Sequence, residues 1–386
     1  MIFVISIPLV IVALIGGLLG ATPAAPQQSF KDLPVFQDVI SLILNSYVEK
    51  VDIDKVMEGA MRGLADGLDP SSSYLSPEEV QAVETSARPL AGETGIILSR
   101  QFYLRVVGVR DGSPAARAGI RTGDVLRTID GKPTREISTF TGTRMLRGAP
   151  GTKVELVILR ESAVEPHTVT LERQATAGDL VTGKRLAGGE AYVRVASFGA
   201  GAAAAIRRQV DGLQQSGAAS AVIDLRGTAD GAAEEGVAAA RLFVASGPLA
   251  TLAGRGTDKT VTSASAGDGG ITIPVVLLTS NGTANAAEIF AAALLGSRRA
   301  DLVGEPTAGI AGVQQLVKLP EGRGLWMTRA RYLTTDGKPI HERGLAPTVM
   351  VEEPSVVFGA APPANDDALA KALELLKTKA APRIAA

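Results

Sequence analysis

Hydrophobic residues dominate the start of the chain. Ile2–Ala21 is an almost unbroken apolar run, and the first thirty residues carry no charged side chain. About 20 helical residues span the roughly 30 Å hydrocarbon core of a bilayer, so we expect residues 1–30 to form a membrane segment and a linker. An uncleaved signal anchor and a secretory signal peptide cleaved near Ala21–Ala25 are the two interpretations. The lack of a basic n-region favours the anchor, and a buried helix is the remaining alternative.

The next segment, residues 31–91, has apolar residues at helical spacing. They are Val35, Ile40, Leu42, Ile43, Tyr47 and Val48, followed by Val56, Met57, Ala60, Met61 and Leu64. Such spacing predicts two amphipathic helices, and Asp54 is a candidate N-cap for the second. Asp69-Pro70 then interrupts the pattern. We expect a small N-terminal helical region.

From residue 92 to 174 the pattern changes to short alternating segments between glycine turns. Residues 104–109, 125–129 and 154–159 are predicted strands. Residues 112–120 predict a turn with a short helix, and Asp130-Gly131 predicts a tight turn. This segment is a separate, mainly β unit.

Strands and helices alternate over residues 175–360. The predicted strands lie at 192–195, 221–225, 273–278 and 302–303, and the predicted helices at 202–215, 232–245 and 286–295. Apolar strands separated by helices indicate a largely buried sheet with crossover connections. Residues 366–379, within the C-terminal segment 361–386, have the spacing of an amphipathic closing helix. The fold class is therefore α/β and α+β, in several domains.

Composition narrows the chemistry. The chain has 386 residues with 39 Lys plus Arg against 40 Asp plus Glu, which makes nucleic acid a poor partner. It has no cysteine and two isolated histidines, His167 and His341, so disulfides, thiolate chemistry and Cys- or His-based metal sites are not expected. We predict no metal and no cofactor.

Residues 92–174 resemble a PDZ domain of the bacterial type. The similarity rests on Ser113-Pro114-Ala115 through Gly119, on Gly123-Asp124-Val125 and on Asp130-Gly131. The resemblance implies that an extended C-terminal tail adds as a strand to a sheet edge, with its carboxylate received by loop N–H groups. On this basis Gly95, Ile96, Ile97 and Leu98 form the peptide-binding loop and strand. The alternative is that these glycines only shape the turns of a spacer.

Nearly the whole chain is similar to the S41 carboxy-terminal processing peptidases. The matching blocks are Gly67-Leu68-Asp69-Pro70 with Ser72, Ser73 and Tyr74; the PDZ-like segment; Asp224-Leu225-Arg226; Gly282-Thr283-Ala284 with Glu288-Ile289; Gly304-Glu305-Pro306-Thr307 with Val313-Gln314; and Arg331-Tyr332-Leu333-Thr334 through Gly344-Leu345-Ala346-Pro347. The resemblance implies an S41-type α/β protease core at residues 175–360.

The family's serine nucleophile and lysine base have no counterparts at the matching positions. The resemblance places the serine at Asn285 and the lysine at Ile310, whereas the family's accessory glutamine is retained at Gln314. A desolvated lysine can take a serine proton. Asparagine has no hydroxyl and isoleucine has no proton acceptor, so no acyl-enzyme is expected here.

The turn after Asp224-Leu225-Arg226 departs from the family as well. The family usually has an Asn-Pro-Gly-Gly-like turn whose N–H groups help to hold an oxyanion. This chain has Ala229 in place of the proline, and then Asp230 and Gly231. We expect the carboxylate of Asp230 to repel a developing oxyanion.

Three functional hypotheses remain. The first is a non-catalytic pseudoprotease that binds C-terminal tails, alone or with an active S41 paralogue, at the inner membrane on the periplasmic or other extracytoplasmic face. The second is an active serine endopeptidase with a displaced dyad drawn from Ser280 or Thr283 and Lys318. The third is a structural envelope protein. We interpret His341 as a surface or loop residue.

Overall fold

The computed structural model describes residues 32–85, 91–160, 165–175, 178–361 and 363–380. The expected membrane segment, residues 1–30, lies outside these ranges. Within them, no helix has both the length and the apolar character needed to cross a bilayer.

The chain divides into two compact units, and the division falls at Ala60 and Met61. The first unit contains α1 (Leu33–Ser46) and the start of α2 (Ile53–Asp66). Asp52, and not Asp54 as we had expected, caps α2, because its carboxylate accepts from the backbone N–H of Asp54 at 3.1 Å and of Lys55 at 3.3 Å. Asp54 lies in the first helical turn. The second unit continues from α2 with β1 (Ser73–Leu75) and α3 (Pro77–Thr85).

The PDZ-like domain, whose strands run from Gly92 to Ala175, is built around an antiparallel sheet. Its elements are β2 (Gly92–Glu93), β3 (Ile96–Gln101), β4 (Tyr103–Val109), α4 (Pro114–Arg117), β5 (Val125–Ile129), β6 (Lys132–Pro133), α5 (Thr139–Met145), β7 (Lys153–Leu159), β8 (His167–Glu172) and β9 (Gln174–Ala175). The main strand order is β3-β4-β5-β7-β8, which leaves β3 at an edge. Alternate side chains such as Leu104, Leu126 and Leu156 fill the core, as the sequence period predicted. All three predicted strands are present.

The core domain, whose elements begin at Val181, contains two sheets. Its elements, with the closing helix, are β10 (Val181–Arg185), β11 (Ala191–Val195), α6 (Ala202–Gln215), β12 (Ala221–Asp224), α7 (Ala233–Arg241), β13 (Pro248–Gly254), β14 (Thr257–Ser263), β15 (Val275–Thr279), α8 (Ala286–Gly296), β16 (Ala300–Gly304), β17 (Gly312–Lys318), β18 (Gly324–Leu333), β19 (Val349–Met350) and α9 (Asp367–Ala380). The first sheet has the order β10-β11-β12-β15-β16-β19, parallel except for β10.

Helices cover both faces of this first sheet. Ile223 and Leu277 pack into one apolar cluster with α6, α7 and α8. Their neighbours Val222 and Val276 point the other way, into a cluster with α9. Burial on both faces explains why these strands are almost continuously apolar.

The second sheet was not foreseen from the sequence. It has the order β1-β18-β13-β14, and β17 pairs with β18 along the opposite edge. β1 belongs to the segment predicted as a helical region, and it joins this sheet by pairing Ser73 with Trp326. The N-terminal region therefore contributes a strand to the core domain.

A return segment, residues 354–361, packs against the PDZ-like domain. The ring of Phe358 stacks on His167, with ring centroids 4.5 Å apart, and the Arg160 guanidinium lies 4.9 Å from the centroid of the same ring. Arg160 also donates to the carbonyl oxygen of Val356 at 3.2 Å. The chain thus leaves the PDZ-like domain, builds the core domain and comes back.

Candidate functional site

Asn285 lies where a turn after β15 enters α8. Its backbone has φ 52° and ψ −123°, a sparsely populated conformation for a residue with a Cβ. Strained strand-to-helix turns of this kind present nucleophiles in other hydrolases. Here the side-chain amide donates from Nδ2 to the carbonyl oxygen of Ala229 at 2.8 Å, and the backbone N–H donates to the carbonyl oxygen of Ile310 at 3.0 Å. The predicted nucleophile and base positions are therefore neighbours.

Glu288 fixes the loop that carries Ile310. Its carboxylate is fully buried in the first turn of α8 and accepts from the N–H of Gly309 and of Ile310, each at 2.8 Å, and from the hydroxyl of Thr307. Burial raises the pKa of Glu288 to about 7, although these hydrogen bonds act in the opposite direction. All three donors belong to the loop of residues 307–310, so we assign the carboxylate a role in positioning that loop.

Ile310 lies in a small apolar cluster that joins two domains. The cluster contains Val107, Ala229 and Ala284, with Ile97, Ala308 and Ile310 packed against it. Ile97 and Val107 belong to β3 and β4 of the PDZ-like domain. An apolar side chain is the residue type that such a site accepts without cost.

Gln314 is connected to a partly buried network of polar side chains. Its Nε2 donates to the Thr328 hydroxyl at 3.2 Å, and the Thr328 N–H donates to the Ser72 hydroxyl at 3.3 Å. Ser72 in turn donates to Asp69 at 2.8 Å. Although burial alone would raise it, the His341 ring and the Ser72 hydroxyl hold the pKa of Asp69 well below its usual range.

His341 lies in a loop, which is one of the two positions expected for it, but it is not a surface residue. Its side chain is 4% exposed, and Nε2 lies 3.8 Å from the Asp69 carboxylate. The long loop that carries it folds over β17, so that a Cβ on Gly312 would lie 2.9 Å from the imidazole ring. Burial by a partner distant in sequence leaves no local signal. No Ser-His-Asp relay results, because Ser72 donates to the aspartate and not to the histidine.

Asp230 and Gly231 lie in the turn after β12, beside the PDZ-like domain. Asp230 forms an ion pair with Arg110, which also pairs with Glu93, and accepts from the Ser197 hydroxyl at 3.1 Å. Gly231 has φ 122°, and a Cβ there would lie 2.3 Å from the backbone of Phe198. The negative charge expected at this turn is therefore balanced by a guanidinium from the neighbouring domain.

The predicted peptide-binding segment lies in and just before β3, at an edge of the PDZ-like sheet. Gly95 has φ 83°, and a Cβ there would lie 2.2 Å from Ser113 Cβ, so only glycine fits. Ile96 and Leu98 face the domain core, whereas Ile97 faces the cluster around Ile310. The Arg100 N–H donates away from β4, to the Pro70 carbonyl oxygen at 3.3 Å.

Comparison with known proteins identifies the family to which this chain belongs. Residues 190–351 match peptidase family S41, residues 105–160 match a PDZ domain, and residues 19–79 match the activating protease CtpB N-terminal domain. The carboxyl-terminal-processing protease of Synechocystis is 30% identical over 316 residues, 80% of this chain and 74% of that protein. The chain belongs to peptidase family S41.

Two further similarities extend the S41 assignment. Carboxy-terminal processing protease CtpA of Bacillus subtilis is 30% identical over 315 residues, which cover 81% of this chain and 67% of that protein. The solved photosystem II D1 C-terminal processing protease superposes with a TM-score of 0.68 at 28% identity, over 82% of this chain and 86% of that one. The S41 homologue thus has the PDZ domain and the mixed α/β protease core of its relatives.

The S41 block Asp224-Leu225-Arg226 has a structural role in this chain. Buried Asp224 pairs with Arg226 at 2.6 Å and accepts from the Tyr192 hydroxyl at 2.7 Å. Arg226 also pairs with Asp366 at 2.8 Å, immediately before α9. The block therefore attaches the C-terminal helix to the end of β12.

The candidate residues for a displaced dyad are engaged elsewhere. Ser280 accepts from the N–H of Gly227 and of Gly282, each at 3.2 Å, and Thr283 donates to the Leu225 carbonyl oxygen at 2.9 Å. Lys318 is 68% exposed and pairs with Glu84. These hydroxyls hold turns, and this amine is not desolvated as a general base would need to be.

Sequence reasoning missed the roles of Glu288 and Arg110. A carboxylate inside the otherwise apolar run of α8 was the available signal for Glu288, since buried acids require partners. Arg110 gave no comparable signal, because its partner Asp230 is 120 residues away.

Proposed function

We propose that this S41 homologue is a non-catalytic pseudoprotease that binds extended C-terminal polypeptide tails. One observation carries the proposal: the family's serine and lysine positions hold Asn285, whose amide is bound to Ala229, and Ile310, which packs among apolar side chains. Acyl transfer needs an attacking oxygen and a base that removes its proton. Neither group is available at these two positions.

The residues at the family's serine and lysine positions are consistent with each other. A lone lysine at position 310 would be a partly buried charge next to Ile97 and Val107, without a serine to serve. Isoleucine avoids that cost. The strained backbone of Asn285 meanwhile keeps the geometry of a nucleophile turn without its chemistry.

Tail binding is supported by the free edge of β3. Antiparallel strands direct alternate N–H groups to opposite sides, so the Leu98 N–H faces the same open side as that of Arg100. Because Pro70 already occupies the Arg100 N–H, only Ile96–Leu98 remains for an added strand. A bound tail would therefore be short, with its carboxylate near Gly95.

Peptide binding tests the tail-binding part. Unstructured peptides with a free α-carboxylate should bind, and the same peptides amidated at the C-terminus should not. Gly95→Ala should weaken binding, because its Cβ meets Ser113, whereas Gly112→Ala has similar backbone strain in open space and serves as the control. Equal binding of amidated and free peptides would refute C-terminal capture.

A fluorophosphonate probe and a tail-tagged protein substrate test the absence of catalysis. The unmodified chain should be neither labelled nor active. An Asn285→Ser, Ile310→Lys double variant is the matched comparison, since it restores both groups on the retained turn. Labelling or cleavage by the unmodified chain would establish instead the active endopeptidase with a displaced dyad.

We also propose that the protein works at the extracytoplasmic face of the bacterial inner membrane, in the periplasm, anchored by residues 1–30. The apolar, uncharged character of that run supports this location. An active S41 paralogue is the proposed alternative partner. A reporter enzyme that is active only outside the cytoplasm, fused after residue 380, should be active. An inactive reporter on a chain that retains residues 1–30 would exclude this location.

A further inference from the structure

We propose that the three residues that depart from the S41 pattern, Asn285, Ile310 and Asp230, form part of a fixed interface that locks the PDZ-like domain onto the core domain. The inference concerns how the two domains are held, and it stands apart from tail binding. Each of the three residues contributes a different kind of contact.

Asp230 takes part in one of two adjacent ion pairs between the domains, and these two pairs have opposite polarity. Arg110 of the PDZ-like domain pairs with Asp230 of the core, and the next residue, Asp111, pairs with core Arg194 at 2.9 and 3.0 Å. A positive and a negative residue that are adjacent in the PDZ-like domain thus pair with a negative and a positive residue of the core domain. Such a pattern fixes the relative position of the domains, because a shift by one residue would bring like charges together.

The core domain holds its half of these pairs rigidly. Arg194 donates to the Asp224 carbonyl oxygen at 3.1 Å and to the Thr228 hydroxyl at 3.0 Å. The Asp230 turn is bound through its own backbone, since the Phe198 N–H donates to the Asp230 carbonyl oxygen at 2.9 Å. Asn285 holds the same turn through Ala229. The asparagine therefore supports the surface that receives the other domain.

Ile310 supplies an apolar contact between the same two domains. Its partners Ile97 and Val107 come from the PDZ-like domain. Backbones approach closely around them, because a Cβ on Gly108 would lie 2.8 Å from Ala229 Cβ and from the Gly227 carbonyl oxygen. A lysine at position 310 would bring a charge into this contact, whereas isoleucine packs against the apolar side chains of both domains.

The absence of cysteine makes the interface directly measurable. Cysteines introduced at exposed Thr170 on β8 and Thr260 on β14 are the only thiols in the chain, so two spin labels report one interdomain distance by pulsed electron spin resonance. The unliganded chain should give one narrow distance distribution. This readout needs no tail peptide, so it can fail independently of tail binding.

The test variants break each contact and then rebuild one. Asp230→Arg and Ile310→Lys should each raise the ratio of displaced to docked molecules by about tenfold or more. Adding Arg110→Asp and Glu93→Gln to Asp230→Arg reverses the interdomain ion pair without placing two carboxylates side by side, and this charge swap should restore the narrow distribution. Asp211→Arg breaks the exposed Arg207 pair within α6 and should change nothing.

Circular dichroism on every labelled variant separates displacement from unfolding, and Asp230→Asn provides a milder variant if Asp230→Arg fails to fold. Displacement by Asp230→Arg that the charge swap reverses would support the lock. Distributions that stay as narrow as the unmodified chain's in both Asp230→Asn and Ile310→Lys would overturn it. Failure of the charge swap to restore docking in folded protein would equally exclude the ion-pair part.

Discussion

Replacement of Glu288 by glutamine should remove a pH-dependent part of the chain's stability. The carboxylate of Glu288 accepts hydrogen bonds from the N–H groups of Gly309 and Ile310 and from the Thr307 hydroxyl. Glutamine keeps the size of the side chain and resembles the protonated carboxyl group, but it cannot ionise. We therefore expect Glu288→Gln to remove the dependence of the loop's stability on the protonation of this group.

The magnitude follows from the pKa. Burial raises the pKa of Glu288 to about 7 from its ordinary value of 4.5. The folded chain therefore holds this proton more tightly than the unfolded chain does, so the stabilisation is complete below pH 4.5 and is lost as the pH rises through 7. At 1.36 kcal/mol per pH unit, the contribution is about 3 kcal/mol.

Urea unfolding between pH 4 and pH 8 measures this contribution, at roughly half-unit steps. Trp326 is the single tryptophan and lies in β18, so its fluorescence reports the core domain. The free energy of unfolding of the unmodified chain minus that of Glu288→Gln should fall by about 3 kcal/mol across the range. Glu172→Gln, an exposed change, is the control. A difference that stays constant with pH would refute the reasoning.

Three further comparisons, each between two variants, test the site. Asn285→Ala keeps the strained backbone and loses the amide hydrogen bond, whereas Asn285→Gly relieves the strain, so the glycine variant should be the more stable by about 1–2 kcal/mol in urea unfolding. Ile310→Lys should lower the melting temperature by several degrees more than Ile310→Val, because it places a charge in an apolar contact. Gly231→Ala should cost more than about 2 kcal/mol, and Gly227→Ala, also at positive φ but in open space, about 1.

Each comparison has an outcome that contradicts it. Equal stability of the two Asn285 variants would mean that the backbone stores no strain. Equal melting temperatures of Ile310→Lys and Ile310→Val would mean that water reaches the apolar contact. If Gly231→Ala and Gly227→Ala lower the free energy of unfolding equally, the close approach of Gly231 to Phe198 does not affect stability.

The sequence predicted most of the elements whose burial follows a period. The strands of the PDZ-like domain and α6 were predicted because their apolar positions repeat every two or every 3.6 residues. Residues 232–245 were predicted as one helix, but α7 ends at Arg241. The C-terminal helix lies within one residue of its predicted bounds.

The second sheet of the core domain could not be predicted in this way. β14 is largely polar, and β1 has three residues whose partner strand lies some 250 residues later. Strand pairing at that separation depends on the tertiary fold. The burial of His341 has the same origin, since Asp69 and Gly312 reach it from distant parts of the chain.

The sequence predicted the positions of some residues of the candidate site but not the charges that surround them. Asn285, Ile310 and Gln314 could be located because they lie within recognisable blocks, and the structure places the first two in backbone contact. The charge balance around Asp230 was not foreseen, because a single sequence does not reveal that Arg110 faces it. Pairing between domains depends on how they dock.

The return segment has a consequence for how the protein matures. Because the Phe358 ring covers His167 and Arg160, the PDZ-like domain receives this side chain only after residue 358 has left the ribosome. A fragment limited to residues 92–174 lacks that ring. During synthesis from the N-terminus, the PDZ-like domain therefore gains this contact only after the strands and helices of the core domain up to β19 have been made.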